Sequence, residues 1–420
     1  MLTSGAARSY REEISAGWLT LVSSMIAYGS GSALFMYTSN FFVSPIQEAT
    51  GWARGEIALG VSLTLIANAL SMPFIGKLAD RLGPRMIGVA SLIGYGCGCL
   101  LLGIVPFTLP VYYGLMLLVS PFFAGTSAVV FTRLITSKFV RLRGTALAVM
   151  LSGTALLLVP LAPLMTSAVS QSYRYGFLML GAVALLIGLP LALVATRRAK
   201  AGVRDAGGSA RPVDGLTWQE TMRTLTFWQI VVAILASALG LGGILNQLSP
   251  VLTAKGLSPA EVTGLASLFV ISVTVGRILV GALLDLLNPA LVSGTVMILA
   301  AMALLLLNQG PPSLLTCAIF VILAGSAMGA EADFAAFFTA RYFGQANYSA
   351  ILGTISMFIA FGLAGGAYLY GTLYDRFAHY DVALQISMGL FLVSGAGLAA
   401  LWRRKPLAPR YHGVAVPAAG

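Results

Sequence analysis

"GKLADRLGPR", residues 76 to 85, and "GALLDLLNP", residues 281 to 289, decide how this chain is read. Each closes an apolar run, and each places Asp four residues after Gly and Pro four residues after Asp. They stand 205 residues apart, and the same displacement lays Ser44 on Ser249, Pro45 on Pro250, Gly51 on Gly256, Glu56 on Glu261 and Ser62 on Ser267. Identities of Gly, Pro and acidic type in matched loops do not follow from apolar composition alone. The chain is therefore read as an internal duplication.

The rest of the chain says what is duplicated. Of 420 residues, 58% are hydrophobic and 9% charged, where a soluble domain carries about a quarter charged residues. Apolar runs recur from Ala16 to near Trp402, each long enough to cross a hydrocarbon core of about 30 Å as a helix that satisfies its own backbone in lipid. The runs predict twelve spans, starting near Ala16, Gly55, Pro84, Pro110, Arg143, Arg174, Phe227, Ala260, Pro289, Pro312, Ser349 and Asp381. One long polar stretch, Thr196 to Thr226, divides them. The expected fold is an all-α polytopic membrane protein of two pseudo-symmetric six-helix bundles. Residues 1–195 form the first bundle, 196–226 a cytoplasmic linker, 227–403 the second bundle and 404–420 a tail. Repeats of this kind hold their substrate between the halves near the midplane.

A net charge of +11 could suggest nucleic acid. Its distribution argues otherwise: Arg and Lys gather in alternate loops, at Lys77 to Arg85, Lys138 to Arg143, Arg197 to Arg223, Arg341 and Arg403 to Arg410. The opposite loops hold Arg54, Arg174, Lys255 and Arg376. This is the positive-inside pattern; it places both termini in the cytoplasm and makes lipid, not nucleic acid, the partner of the basic loops. Cys97, Cys99 and Cys317 lie inside apolar segments and suit packing better than a metal, and no metal or cofactor motif is expected. The polar Met1–Ser15 and a long first apolar run do not read as a cleaved signal peptide.

"GKLADRLGPR" resembles the Gly-x-x-x-Asp-Arg-x-Gly-x-Arg loop signature of the major facilitator superfamily, and "GALLDLLNP" is its degenerate echo. Within that superfamily, "TGWARGEI" (50–57), "RLRGTALAVMLSGTAL" (141–156) and "GAEADFAAFFTARYFG" (329–344) resemble the branch of monocarboxylate transporters and oxalate–formate-type exchangers. The resemblance implies secondary transport by a monomer in the plasma membrane, with short loops leaning toward a bacterial inner membrane.

Arg277 stands in the apolar eighth span, where its counterpart under the repeat is Met72. The architecture therefore does not require the charge. An arginine near mid-membrane costs at least a few kcal/mol and normally faces a cavity with a partner. Ser267, Thr274 and Gly281 share its helical face. Its planar fork suits a carboxylate, and the resemblance implies that an arginine here binds the anion. An internal salt bridge with Glu331 or Asp333 is the alternative. Those two acids are two residues apart on the tenth span, about 200° around the helix, so one is expected toward the cavity as a protonatable group and the other as a brace. Which does which stays open at this point.

Tyr28, Asn68, Ser71 and Ser152 are candidate cavity residues, with Tyr28, Asn68, Ser71 and Thr274 expected beside Arg277 at the substrate. Arg133 is read as a snorkelling cation or a gate. The resemblance makes Asp80, Arg81, Arg85 and Asp285 conformational latches, with Arg341 among the gating charges. The eleventh span holds no lysine where oxalate-type exchangers have one, which favours one carboxylate over two. The expected function is transport of a small organic monocarboxylate with protons. Anion exchange, drug efflux and a non-transporting sensor are the alternatives. A cationic-drug pump would want an acidic cavity rather than Arg277. No nucleophile–base pair, metal cluster or nucleotide loop points to an enzyme.

Overall fold

The computed structural model describes residues 10–197, 215–309 and 312–405. Most of the expected linker and nearly all of the expected tail lie outside the described residues. Among the described residues, twelve helical stretches are long and apolar enough to cross a membrane. Spans 1 to 6 are Tyr10–Thr50, Arg54–Leu82, Pro84–Ile104, Leu109–Thr136, Arg143–Gln171 and Tyr173–Thr196. Spans 7 to 12 are Leu225–Ala254, Pro259–Leu286, Pro289–Leu307, Leu314–Phe343, Tyr348–Phe377 and Asp381–Arg403. Among the described residues there is no β-strand, only an isolated bridge between Gly215 and Gly344. The chain is an all-α, multi-pass membrane protein.

The duplicated residues have duplicated structural duties. Gly51 and Gly256, which follow spans 1 and 7, both have positive φ, 74° and 90°, a region that residues with a Cβ rarely enter. Five residues on, Glu56 and Glu261 reach back to the amides of Ala53 (2.9 Å) and Ser258 (2.8 Å), each occupying a donor that the start of its helix leaves open. Pro84 and Pro289 begin spans 3 and 9, where a missing N–H costs nothing. Two further matched pairs, Gly76/Gly281 and Asp80/Asp285, lie on the seam between the halves.

That seam is built by span 2 against span 11, span 5 against spans 8 and 10, and span 4 against span 11. A Cβ on Gly76 would strike the backbone of Ser349 and Ala350, and one on Gly353 the backbone of Met72. Gly281 packs in the same way on Gly144 and Ala148. Helices in lipid gain their association from such close backbone approach rather than from hydrophobic transfer.

Two features depart from the sequence expectation. Span 1 starts by Tyr10, six residues before Ala16. The polar first turns are helical because Glu13 is buried and accepts the amides of Val140, Arg141 and Leu142 at 3.2–3.3 Å, capping the loop between spans 4 and 5. Spans 1, 4 and 5 are also broken, at Ser30–Gly31, Thr126–Ser127 and Ser152. The breaks support one another. Ser32 N donates to Thr126 Oγ1 (3.0 Å), Ser32 Oγ donates to the Phe123 carbonyl (3.0 Å), and Gly153 lies against the Met25 carbonyl.

Candidate functional site

Arg277 sits at the break in span 5. Its Nε donates to the Gly329 carbonyl of span 10 at 2.6 Å, and its Nη1 to the Leu151 carbonyl of span 5 at 2.8 Å. Leu151 is the last residue of the first half of span 5, so its carbonyl belongs to a helix C-terminus, which attracts cations. The guanidinium thereby joins both halves of the protein, and 16% of the side chain remains exposed.

Asp333 lies one turn beyond Gly329, with Oδ2 at 3.6 Å from Arg277 Nε. Neither carboxylate oxygen has a hydrogen-bond partner, although both are buried. Glu331 points elsewhere: it accepts a 2.5 Å bond from Ser237 Oγ of span 7 and braces the second half internally. The two carboxylates thus occupy the two faces that their 200° separation requires, with Asp333 at the arginine.

The other candidates divide. Tyr28 lies close enough to Arg277 and Asp333 to feel both charges, and the hydroxyls of Ser24 and Thr154 are buried without hydrogen-bond partners. Asn68 of span 2 has a buried, unpartnered Oδ1. Ser71, Ser152 and Thr274 spend their hydroxyls on carbonyls of their own helices, those of Ala67, Ala148 and Val270.

At the basic face, Asp80 ends span 2 and accepts the amides of Ser349 (3.1 Å) and Ala350 (2.8 Å) at the start of span 11. Asp285 ends span 8 and accepts the amides of Gly144 (2.6 Å) and Thr145 (2.7 Å) at the start of span 5, with Thr145 Oγ1 at 2.8 Å. Gly144 and Thr145 fall on Ser349 and Ala350 under the same displacement of 205. Each half therefore caps a helix of the other with an aspartate, where negative charge is favoured. Arg133 donates to Asp80 at 2.5 Å and so belongs to the first latch. Arg81 is exposed and Arg85 half-buried, and among the described residues neither forms an ion pair with Asp80 or Asp285 within 4.0 Å. Arg341 lies apart from both aspartates' hydrogen bonds, at the π-helical end of span 10.

Sequence reading did not find the linker's described end. Leu216 N donates to the Phe343 carbonyl (2.9 Å), and the short helix Trp218–Met222 follows. Trp218 Nε1 donates to Thr354 Oγ1 of span 11 at 3.0 Å, while Lys77 Nζ of span 2 sits 3.5 Å from the indole centre. The tryptophan clips the span 2–span 11 seam.

The family model described as Major Facilitator Superfamily matches residues 22–339. No curated protein sequence matches the chain. Among solved structures, a variant of the E. coli fucose:proton symporter FucP is similar at TM-score 0.70 and 12% identity, covering 92% of this chain and 98% of that one. A bacterial homologue of the iron transporter ferroportin in an outward-facing state has TM-score 0.71 and 14% identity, covering 93% of this chain and 100% of that one. The human organic anion transporter MFSD10 (TETRAN) has TM-score 0.62 and 15% identity, again covering 93% and 100%. At these identities the likeness is one of fold.

Proposed function

The chain belongs to the Major Facilitator Superfamily, and from that premise we propose that it carries a small organic monocarboxylate across the membrane by alternating access, in symport with a proton. The observation that carries this reading is Arg277, a cation inside a span whose repeat counterpart is Met72, held to both halves by carbonyls and partly exposed. Its carbonyl bonds use Nε and one terminal nitrogen. The other terminal nitrogen is left for a carboxylate, with Tyr28 nearby, Thr274 one turn back on the same span, and Asn68 and Ser71 contributed by span 2.

Asp333 supplies the proton site. With the acid bound, three charges would share a dry region: the guanidinium, the substrate and Asp333. A proton on Asp333 leaves one cation opposite one anion. It also cancels the charge moved, which otherwise costs about 2.3 kcal/mol per 100 mV. Alternation requires both aspartate latches at the basic face to open, with residues 1–195 and 227–403 moving as two bodies. We place the basic face and both termini in the cytoplasm, in a plasma membrane of bacterial inner-membrane type, and the working unit as a monomer. The fold carries proton symport in FucP and organic anion transport in MFSD10 (TETRAN), so it accommodates both parts of the reading.

The test is uptake into proteoliposomes of a panel of labelled monocarboxylates, with an acid exterior imposed. Uptake of at least one acid, accelerated by the gradient, is expected. Uptake that ignores the gradient but requires internal anion would replace symport with exchange, and no uptake of any monocarboxylate would overturn the reading.

A further inference from the structure

At the basic face, a cleft of about 310 Å³ opens beside the Asp285 latch. Both halves build it. Tyr10 and Arg141 come from spans 1 and the span 4–5 loop, while Asn288 and Arg341 come from the turn after span 8 and the end of span 10. Arg143 stands behind it, near enough to Arg341 for the two charges to repel. One acid, Asp285, also lines the cleft, and it and Glu13 offset part of the Arg143 charge, but backbone amides hold the oxygens of both. Asp285 turns its oxygens to the Gly144 and Thr145 amides, and Glu13 takes the amides of Val140, Arg141 and Leu142. Among the described residues, none of the ion pairs within 4.0 Å involves Arg141, Arg143 or Arg341. Asn288 accepts the Ala290 amide with Oδ1, which leaves its NH₂ group as a donor to the cleft.

We infer that this cleft binds a phosphate group, from an anionic lipid headgroup or from a free phosphate, and that binding favours the conformation closed at the basic face. Arginines are suited to phosphate because their planar forks can donate in pairs. Span 9 begins at the wall of the cleft, and its N-terminus adds positive potential. The conformational consequence follows from the lining. Arg141 and Arg341 belong to different halves, so their spacing exists only while the halves meet here. A ligand held by both binds this state more tightly than the opened one, and it shifts the population by that difference in affinity. The site is separate from Arg277 and does not depend on what is transported.

The experiment measures closure at the basic face by pulsed EPR, with spin labels at Leu82→Cys and Trp402→Cys. Both positions are exposed and lie on opposite halves; the exposed Cys97 is replaced by Ser. The protein is held in phosphatidylcholine nanodiscs in chloride buffer, and ionic strength is matched throughout. One arm substitutes phosphatidylglycerol for part of the lipid, and the other adds inorganic phosphate. Either arm should raise the ratio of short to long distances about fivefold, and which arm succeeds identifies the source. The Arg141→Gln/Arg341→Gln double variant should lose the rise. Arg341→Lys should keep part of it, and Arg223→Gln, outside the cleft, should keep all of it. No rise in either arm, or a rise that persists in the double variant, overturns the inference.

Discussion

Replacing Asp285 by Ala removes three hydrogen bonds of 2.6, 2.7 and 2.8 Å to the first turn of span 5. In the closed state the carboxylate also faces a helix N-terminus. Hydrogen bonds to a charged group contribute about 1.5–3 kcal/mol each, and a charge at a helix end about 0.3–2 kcal/mol. Opening the seam lets water reach both the carboxylate and the amides, so most of that gross figure cancels. About 2 kcal/mol remains, close to one such bond, and this corresponds to a factor of about 30 in the closed-to-open ratio. Asp80→Ala removes two amide bonds and also leaves Arg133 without its carboxylate, so its effect should be the larger. If the halves move as rigid bodies, both latches act on one equilibrium, and the double variant should sum the two effects within about 0.5 kcal/mol. Distance distributions between Leu82→Cys and Trp402→Cys labels read the ratio directly. A closed fraction unchanged by either substitution, or changed by one and untouched by the other, would refute the claim that the two aspartates are equivalent latches.

Asp333→Asn should abolish acceleration of uptake by an acid exterior while leaving counterflow of internal and external substrate, as measured in proteoliposomes. Glu331→Gln can keep its bond with Ser237, so gradient-driven uptake should stay within about threefold of wild type, a neutral hydrogen bond contributing only about 1 kcal/mol; loss of coupling in Glu331→Gln but not in Asp333→Asn would reverse their roles. Gly353→Leu drives a side chain into the Met72 backbone, and overpacking of about 1–3 kcal/mol should favour the open seam in the same distance measurement. Trp218→Ala loses a cation–π contact of about 0.5–2 kcal/mol and the Thr354 bond, and should open the seam about tenfold without moving substrate affinity of the open state.

Much of the fold was legible because its punctuation is chemical. Pro84, Arg143, Pro289 and Asp381 begin their spans as expected, since a proline or a charge at a membrane boundary has little freedom of placement. The start of span 1 was missed for the converse reason: Tyr10 to Ser15 is polar, and its helicity depends on Glu13 finding amides some 127 residues away. The breaks at Ser30–Gly31, Thr126–Ser127 and Ser152 leave no trace in hydropathy, which averages over them. At the site, a charge in an apolar span made Arg277 conspicuous. Its partners were not, because the Leu151 and Gly329 carbonyls carry no side-chain signal. Helical geometry required Glu331 and Asp333 to face apart, but assigning the faces needed Ser237 and Arg277 in place. The repeat displacement held more than was read from it: Asp80 and Asp285 were matched, and the same 205 residues separate the amides they cap.

The central claim is that Arg277 holds the substrate's carboxylate, and equilibrium binding tests it most directly. The transported acid and its uncharged amide should be titrated against wild type and Arg277→Gln in detergent. Wild type should prefer the acid by about tenfold or more, the worth of one charge-assisted pair, and the variant should lose that preference while still folding and binding lipid. A preference for the acid that survives in Arg277→Gln would contradict the account and leave Arg277 as a tie between the two halves.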